Sequence, residues 1–258
     1  MNSRCCCPNK RRTLRKAPCP IKPTFRKPSA GRLRYACVMN LTDALLPADL
    51  LFFANFVWLA IGVYAVRAAP WRALLANPGL QHVFLGASVA LFLMWIFEAG
   101  VRPALGFHLL GVTVYTLMFG WSLGVIGASL IMLAVTVTNG DWAAFAANAL
   151  LLGALPVSIS YGVYALVDRY LPRHLFIYIF LCAFFNAMLA AGVTVGALVA
   201  LLVVTETYTF ARISSEYLPF LPLYLFPEGL INGMVITVLV GLRPDWLKTY
   251  DDERYLKS

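Results

Sequence analysis

Residues 107–138 read FHLLGVTVYTLMFGWSLGVIGASLIMLAVTVT, a stretch that contains no Asp, Glu, Lys or Arg. About 20 apolar residues are enough for one helix to cross a bilayer, so this stretch is too long for a single span. Gly120 and Trp121 lie near its middle. We therefore divide it into a short helix at 107–119 and a second helix at 121–138.

The composition of the whole chain agrees with a membrane protein. Of its 258 residues, 60% are hydrophobic and 13% are charged, whereas a soluble domain is usually nearer half apolar and a quarter charged. A single core of this size does not bury that excess, so lipid must cover much of it. Five further apolar stretches predict helices at 50–66, 82–99, 142–167, 174–204 and 216–242.

The predicted fold class is therefore all-α, a polytopic membrane protein with about seven transmembrane helices. Proline and glycine indicate where some of these helices are broken or kinked. Pro156 predicts a kink in the fifth helix, and Gly192 predicts tilt or a break in the long sixth helix. Pro227 interrupts the last one, either as a kink or as the first residue of a new helix.

The net charge of +9 belongs to the N-terminal part of the chain. Residues 1–38 carry eleven Lys or Arg and no acidic residue. They predict either a basic disordered tail or residues upstream of a biological start at Met39. The membrane domain then covers 39–247, and a cytoplasmic C-terminal tail covers 248–258. Because the basic excess lies outside the membrane domain, we expect no nucleic-acid partner.

Loop charges predict the orientation of the helices. With the Met39 end outside, eight basic residues fall on the inner side, namely Arg67, Arg72, Arg169, Arg173, Arg243, Lys248, Arg254 and Lys257. The outer loops hold Arg102 and Arg212. Cytoplasmic loops are enriched in Lys and Arg, so the C-terminus is predicted to be cytoplasmic. The same rule argues against the basic tail at 1–38 and favours a start at Met39.

An ionisable side chain within the membrane costs about 2.5–3.5 kcal/mol on insertion scales, so such residues indicate function. Glu228 follows Pro227 near the middle of the last apolar stretch. Two roles stay open for it, a packing or conformational role and a direct ligand role.

His108 is the second candidate, because it opens the predicted short helix on the external side. Histidine is the commonest ligand of transition metals, although a lone histidine at a helix start more often caps that helix. His82 and His174 lie at predicted helix ends, where an interfacial role is favoured. Three amides within the apolar stretches are predicted to join helices, Asn148, Asn186 and Asn232.

The sequence contains no H-E-x-x-H, G-x-S-x-G or G-x-x-x-x-G-K-[ST] motif. We therefore predict no enzymatic activity and no catalytic residues. Without a P-loop, any ATP-driven transport by this chain depends on partner subunits.

Short motifs along the chain resemble those of one family. The run Gly106-Phe107-His108-Leu109-Leu110-Gly111 is similar to G-H-L-L-G of that family. Three later motifs resemble its L-G-P-W, G-D and G-A-N at similar spacing, namely Gly120-Trp121, Asn139-Gly140-Asp141 and Ala146-Ala147-Asn148. Pro227-Glu228-Gly229-Leu230-Ile231 resembles G-E-A-L-I, Arg243-Pro244 resembles the closing R-P, and residues 39–46 resemble M-H-I-P-D-G-F-L. The family is the cobalt/nickel-type substrate-specific membrane component of energy-coupling-factor ABC transporters.

The resemblance implies a subunit of the bacterial inner membrane that takes up a divalent metal ion, cobalt or nickel, as its substrate. It implies two kinds of partner, a membrane coupling subunit and cytoplasmic ATPase subunits, and no covalently bound cofactor. In the family, the N-terminal amine, the second residue and the histidine of G-H-L-L-G bind the metal. These positions correspond here to Met39, Asn40 and His108, with an amide at Asn40 in place of the family's imidazole. The alternative hypothesis is a non-transporting membrane accessory protein that serves assembly of a metal-dependent system.

Overall fold

The computed structural model describes residues 40–42, 45–97, 99–102 and 104–255. The predicted tail at 1–38, Met39 and residues 256–258 lie outside the described residues. The helices are α1 (Ala48–Ala68), α2 (Trp71–Ala76), α3 (Pro78–Ile96), α4 (Val112–Asn139), α5 (Phe145–Asn148), α6 (Leu155–Tyr170), α7 (Leu175–Ile177), α8 (Asn186–Val204), α9 (Phe210–Glu216), α10 (Leu221–Leu242) and α11 (Asp252–Tyr255). Two short strands, β1 (Ala99–Arg102) and β2 (Leu105–Phe107), pair in antiparallel fashion between α3 and α4.

Six helical stretches in the described part of the chain are long and apolar enough to cross a bilayer. They are Ala48–Ala68, Pro78–Ile96, Val112–Asn139, Phe145–Tyr170, Leu175–Val204 and Phe210–Leu242. The α4 stretch is mostly buried among the other helices, whereas α1 and α3 leave most of their side chains exposed. The predicted fold class, a polytopic helical membrane protein, is confirmed.

The α4 helix turns back on itself at Gly120, whose φ of 79° and ψ of 179° are not helical. A methyl group at Gly127 would overlap the hydroxyl of Tyr115. Along a straight helix those two residues would lie about 18 Å apart. Residues 112–119, called the half-helix below, therefore pack antiparallel to residues 121–139. The predicted division at Gly120 is confirmed. The described residues contain six stretches of membrane length, one fewer than the seven transmembrane helices predicted.

The half-helix is about 12 Å long, too short to cross a bilayer, whereas residues 121–139 extend about 28 Å. A positive φ of this size is open to glycine and strained for other residues, so Gly120 is the residue at which the direction changes.

The other helices differ from prediction in detail. Pro156 follows a π-helical turn at Ala149–Ala154, which matches the irregularity expected there. The predicted break at Gly192 is wrong, because α8 runs without interruption through that residue. Pro227 lies inside α10, so the alternative in which it is the first residue of a new helix is wrong.

The β1–β2 hairpin and the short helix α2 were not predicted. In the hairpin, Ala99 pairs with Phe107 and Gly100 with Gly106. This pairing takes residues 105–107 away from the helix predicted to start at 107. Gly111 then has a left-handed conformation, with φ 61°, as the residue before α4. A left-handed residue does not continue a right-handed helix, so α4 begins at Val112 and not at Phe107.

Long-range hydrogen bonds define the two ends of the helix bundle. At the N-terminal end, Leu41 pairs with Asn148, and the hydroxyl of Thr207 contacts the carbonyl of Leu45 at 3.4 Å. At the C-terminal end, the backbone N–H of Lys248 donates to the carbonyl of Met118 at 3.1 Å. Leu41 and Leu45 thus lie at the opposite end of the bundle from Lys248.

Candidate metal-binding site

His108 lies in an irregular segment between β2 and α4, and the residue is 3% exposed. The prediction that it opens a helix is wrong, because the hairpin and Gly111 delay the helix start to Val112. Its ring lies 5.5 Å from the ring of Trp95, centroid to centroid. The histidine is therefore a buried group on an irregular segment and not a helix cap.

The imidazole of His108 is in the state that binds metals. Burial lowers its pKa from 6.5 to about 4, against a smaller opposite effect of the carbonyl of Leu109, so the ring is neutral at pH 7. Nδ1 lies 3.3 Å from that carbonyl oxygen. Because a carbonyl only accepts hydrogen bonds, this contact assigns the proton to Nδ1 and leaves the lone pair on Nε2 for a ligand.

Aromatic side chains hold residues 105–111, called the histidine loop below. The indole N–H of Trp95 donates to the carbonyl of Leu110 at 2.9 Å. The hydroxyl of Tyr217 donates to the carbonyl of Gly106 at 3.1 Å. The ring of Phe107 stacks on that of Tyr217 with centroids 4.3 Å apart. The loop is thus held from both sides of His108.

Glu228, in the first half of α10, binds the same loop through its carboxyl group. Oε2 accepts the backbone N–H of Leu110 and Oε1 that of Gly111, both at 2.8 Å. The side-chain amide of Asn232 donates to Oε1 at 2.9 Å, and its oxygen accepts the N–H of Val114 at 3.0 Å. The first N–H groups of a helix have no partner in that helix, and a negative group there is favourable. Glu228 and Asn232 therefore cap α4 from a different helix.

Asn40 is the first described residue, and its side chain is 5% exposed. Its Oδ1 atom is buried and has no hydrogen-bond partner among the described residues. A buried amide oxygen usually has a partner, so this atom is available to a ligand. Met39, the other expected donor, lies outside the described residues.

Asn148 holds the segment that carries Asn40. Its Oδ1 accepts the backbone N–H of Leu41 at 2.8 Å, and its Nδ2 donates to the carbonyl of the same residue at 2.9 Å. This two-point contact resembles the pairing of two strands, and it fixes the backbone next to Asn40.

The side-chain amide of Asn186 connects two helices. Its Nδ2 donates to the carbonyl of Ser160 in α6 and to that of Cys182, both at 2.9 Å. Asn148 and Asn232 likewise bond across the fold, so all three amides connect separate parts of the chain.

The structure places His82 and His174 away from these contacts. His174 precedes α7 and its Nδ1 accepts the N–H of Phe176 at 3.3 Å, a capping contact. His82 lies in the first turns of α3, where it lines a cavity between α3 and α10. Within the described ranges, no group of three or more His, Cys, Asp or Glu side chains is arranged to hold a metal ion.

Trp95, Tyr217 and Tyr224 are the residues around the histidine loop that sequence reasoning missed. The ring of Tyr224 lies 5.1 Å from that of Phe107, and its hydroxyl is buried without a hydrogen-bond partner in the described part of the chain. An aromatic residue that faces lipid and one that faces the core look alike in an apolar stretch. Their distance from the loop along the chain gave no signal either. Trp95 lies before the loop in sequence, whereas Tyr217 and Tyr224 lie more than 100 residues after it.

Comparison with known proteins agrees with this architecture. The family model for the cobalt uptake substrate-specific transmembrane region matches residues 40–246. A search of curated proteins returned no significant match. The matched range covers the helix bundle, the histidine loop and Glu228 together. This chain, in which the loop between α3 and α4 carries the buried histidine, belongs to the family of cobalt uptake substrate-specific transmembrane components.

Proposed function

We propose that this chain is the substrate-specific membrane subunit of an energy-coupling-factor importer that takes up a divalent transition-metal ion. The observation that carries the proposal is His108, a buried neutral imidazole on a loop that Trp95, Tyr217 and Glu228 hold in place. A rigid, preorganised ligand lowers the entropic cost of binding an ion.

The donor set of the site combines nitrogen and oxygen. His108 supplies Nε2, and Asn40 supplies the buried Oδ1 that has no partner among the described residues. If translation begins at Met39, its amine is the third donor. Nickel favours nitrogen donors in a tetragonal arrangement, and an amide oxygen at residue 40 weakens that arrangement. Of the two metals, cobalt therefore fits this chain better.

Glu228 contributes to the site through the backbone and not as a ligand. Both of its oxygens already accept N–H groups of the histidine loop, at 2.8 Å each. Of its two open roles, the conformational one is the better supported.

The orientation in the inner membrane follows from combining the two ends of the bundle with the loop charges. The C-terminal end carries Arg169, Arg173, Arg243 and Lys248, and basic loops favour the cytoplasm. Asn40 and Asn148 then lie at the external end, where an ion enters. Since the sequence has no P-loop, ATP hydrolysis and coupling require separate ATPase subunits and a membrane coupling subunit.

A radiolabelled-cobalt uptake assay tests this proposal. Cells that express this chain with the coupling and ATPase subunits should accumulate cobalt, and cells that lack the ATPase subunits should not. Nickel serves as the competing ion. Cobalt accumulation that is the same with and without this chain would contradict the proposal.

A non-transporting accessory protein is the second candidate. It is favoured because His108 belongs to no group of three or more His, Cys, Asp or Glu side chains in the described residues. The same assay separates the two candidate functions. Deleting an accessory protein would leave cobalt uptake unchanged but would reduce the activity of the metal-dependent enzyme that it serves.

A further inference from the structure

The half-helix is held at its first end by α10. The N–H of Val114, in its first turn, donates to Asn232, and the N–H groups of Leu110 and Gly111, just before it, donate to Glu228. The connection between the histidine loop and the half-helix is therefore fixed, because Gly111, the residue before Val112, is hydrogen-bonded to Glu228. A shift of the half-helix along its axis would move the backbone that carries His108.

The other end of the half-helix is held by the C-terminal segment. The carbonyl of Leu117 accepts the hydroxyl of Thr249 at 2.8 Å and the N–H of Thr249 at 3.3 Å. The carbonyl of Met118 accepts the N–H of Lys248 at 3.1 Å. The last carbonyls of a helix have no partner in that helix, so residues 248–249 supply what the reversal at Gly120 removes.

Thr249 is itself anchored to the bundle. Its side chain is 7% exposed, and its hydroxyl lies 2.7 Å from that of Tyr178. The ring of Tyr178 contacts those of Tyr250 and Tyr255, with centroids 5.1 and 5.3 Å apart. The C-terminal segment is thus a packed part of the fold and contacts the half-helix at a defined point.

The half-helix is closely packed along its length. Its residues are buried except Val114, which is half-buried, although Val114, Tyr115 and Met118 also line a cavity of about 780 Å³ between α3 and α10. A closely packed element transmits strain, because few voids around it can absorb a displacement. With its two ends bonded, the half-helix is suited to transmit a small axial shift.

We propose that the C-terminal segment 247–250 sets the position of His108 through the half-helix, with Thr249 as the positioning residue. The proposal rests on the function proposed above. A partner subunit that draws this segment away at the cytoplasmic end would loosen the histidine loop and weaken ion binding, although it touches neither. The half-helix, about 12 Å long, is the connection between the two.

Hydrogen–deuterium exchange of the metal-free protein tests this connection directly. Thr249→Val removes the hydroxyl but keeps the shape of the side chain. Exchange in peptides that cover residues 108–114 should become about fivefold faster, which corresponds to the loss of one net hydrogen bond. Thr249→Ser keeps the hydroxyl and should restore the wild-type rate. Tyr178→Phe, a milder change that removes only the anchor of Thr249, should act in the same direction.

Thr136→Val is the matched control. Thr136 is also buried, and its hydroxyl also bonds a carbonyl, that of Met132 at 2.9 Å, but within its own helix. Thr136→Val should leave the hydrogen–deuterium exchange of residues 108–114 unchanged. Equal exchange in Thr249→Val and the wild type, or equal acceleration by Thr136→Val, would overturn the proposal.

Cobalt titration of the same variants gives the second measurement. The dissociation constant should rise several-fold in Thr249→Val and return to the wild-type value in Thr249→Ser, with the d–d absorption spectrum of bound cobalt changing in parallel. Absence of cobalt binding by the wild type would count against the proposed function alone. The exchange experiment would then still decide whether the half-helix connects the two ends.

Discussion

Oε1 of Glu228 accepts the backbone N–H of Gly111 at 2.8 Å, although 117 residues separate the two in the chain. Gly111 precedes α4 and has no side chain with which to cap it. A carboxyl group from α10 therefore performs the capping that Ser, Thr, Asp or Asn performs in most helices. The contact joins the histidine loop to the last membrane helix.

Glu228→Gln should destabilise the protein by about 1–3 kcal/mol, because the amide nitrogen of Gln accepts no hydrogen bond and leaves one N–H of the loop unpaired. Glu228→Ala should cost more, since both N–H groups then lose their partner. Thermal unfolding in detergent measures both changes. Glu216→Gln is the control: its ion pair with Arg212 is at the surface, at 3.3 Å, and its loss should cost less than about 1 kcal/mol. Equal melting temperatures for all three variants would refute the capping role.

His108→Ala should reduce the affinity for cobalt by more than about 100-fold. Loss of a residue that only hydrogen-bonds to a metal ligand reduces affinity by about 10–100-fold, and loss of the ligand itself should have a larger effect. His82→Ala and His174→Ala should leave the affinity unchanged, since the structure places neither in contact with the histidine loop. Titration calorimetry at matched protein concentrations checks the three variants. Similar affinities in all three would leave the metal site without its central residue.

The stability of the protein should fall as the pH decreases from about 6.5 toward 4. Burial lowers the pKa of His108 to about 4 in the folded protein, whereas the unfolded chain binds a proton near pH 6.5. The unfolded state therefore binds more protons in this interval, so folding is favoured at higher pH. The loss should approach about 3 kcal/mol.

Melting temperatures recorded between pH 8 and pH 4.5 test this dependence on His108. The His108→Gln variant keeps a polar side chain that does not titrate in this interval. Its melting temperature should fall less than that of the wild type. Parallel pH profiles of the two proteins would show that another group is responsible.

Gly127→Ala should destabilise the bundle by about 1–3 kcal/mol, because its methyl group would overlap the hydroxyl of Tyr115 where the two halves of α4 meet. Gly196→Ala is the matched control, since a methyl group there meets nothing within 4 Å. That change should be neutral or stabilising by up to about 1 kcal/mol through helix propensity. The comparison of the two melting temperatures checks the reversal at Gly120. Equal effects would mean that residues 112–119 and 121–139 do not pack side by side.

The sequence by itself determined the class of fold and, to within one, the number of stretches of membrane length. Apolar stretches of membrane length have few alternatives in lipid, because every backbone N–H and C=O must be bonded within a helix or a closed barrel. The length of the apolar stretch 107–138, with Gly120 near its middle, predicted the division of α4, since one span needs only about 20 residues. These features depend only on residues that are neighbours in the sequence and on the thickness of the bilayer, so the sequence is enough to predict them.

Only the tertiary structure decided what Glu228, Asn148 and Thr249 do. Their partners, at Gly111, Leu41 and Leu117, are more than 100 residues away, and no local pattern predicts such pairs. In a soluble helix, hydrophobic periodicity separates the buried face from the exposed one. In a membrane both faces are apolar, because lipid solvates one and protein the other. The environment of His108 was therefore decided by how the helices pack, which their composition does not reveal.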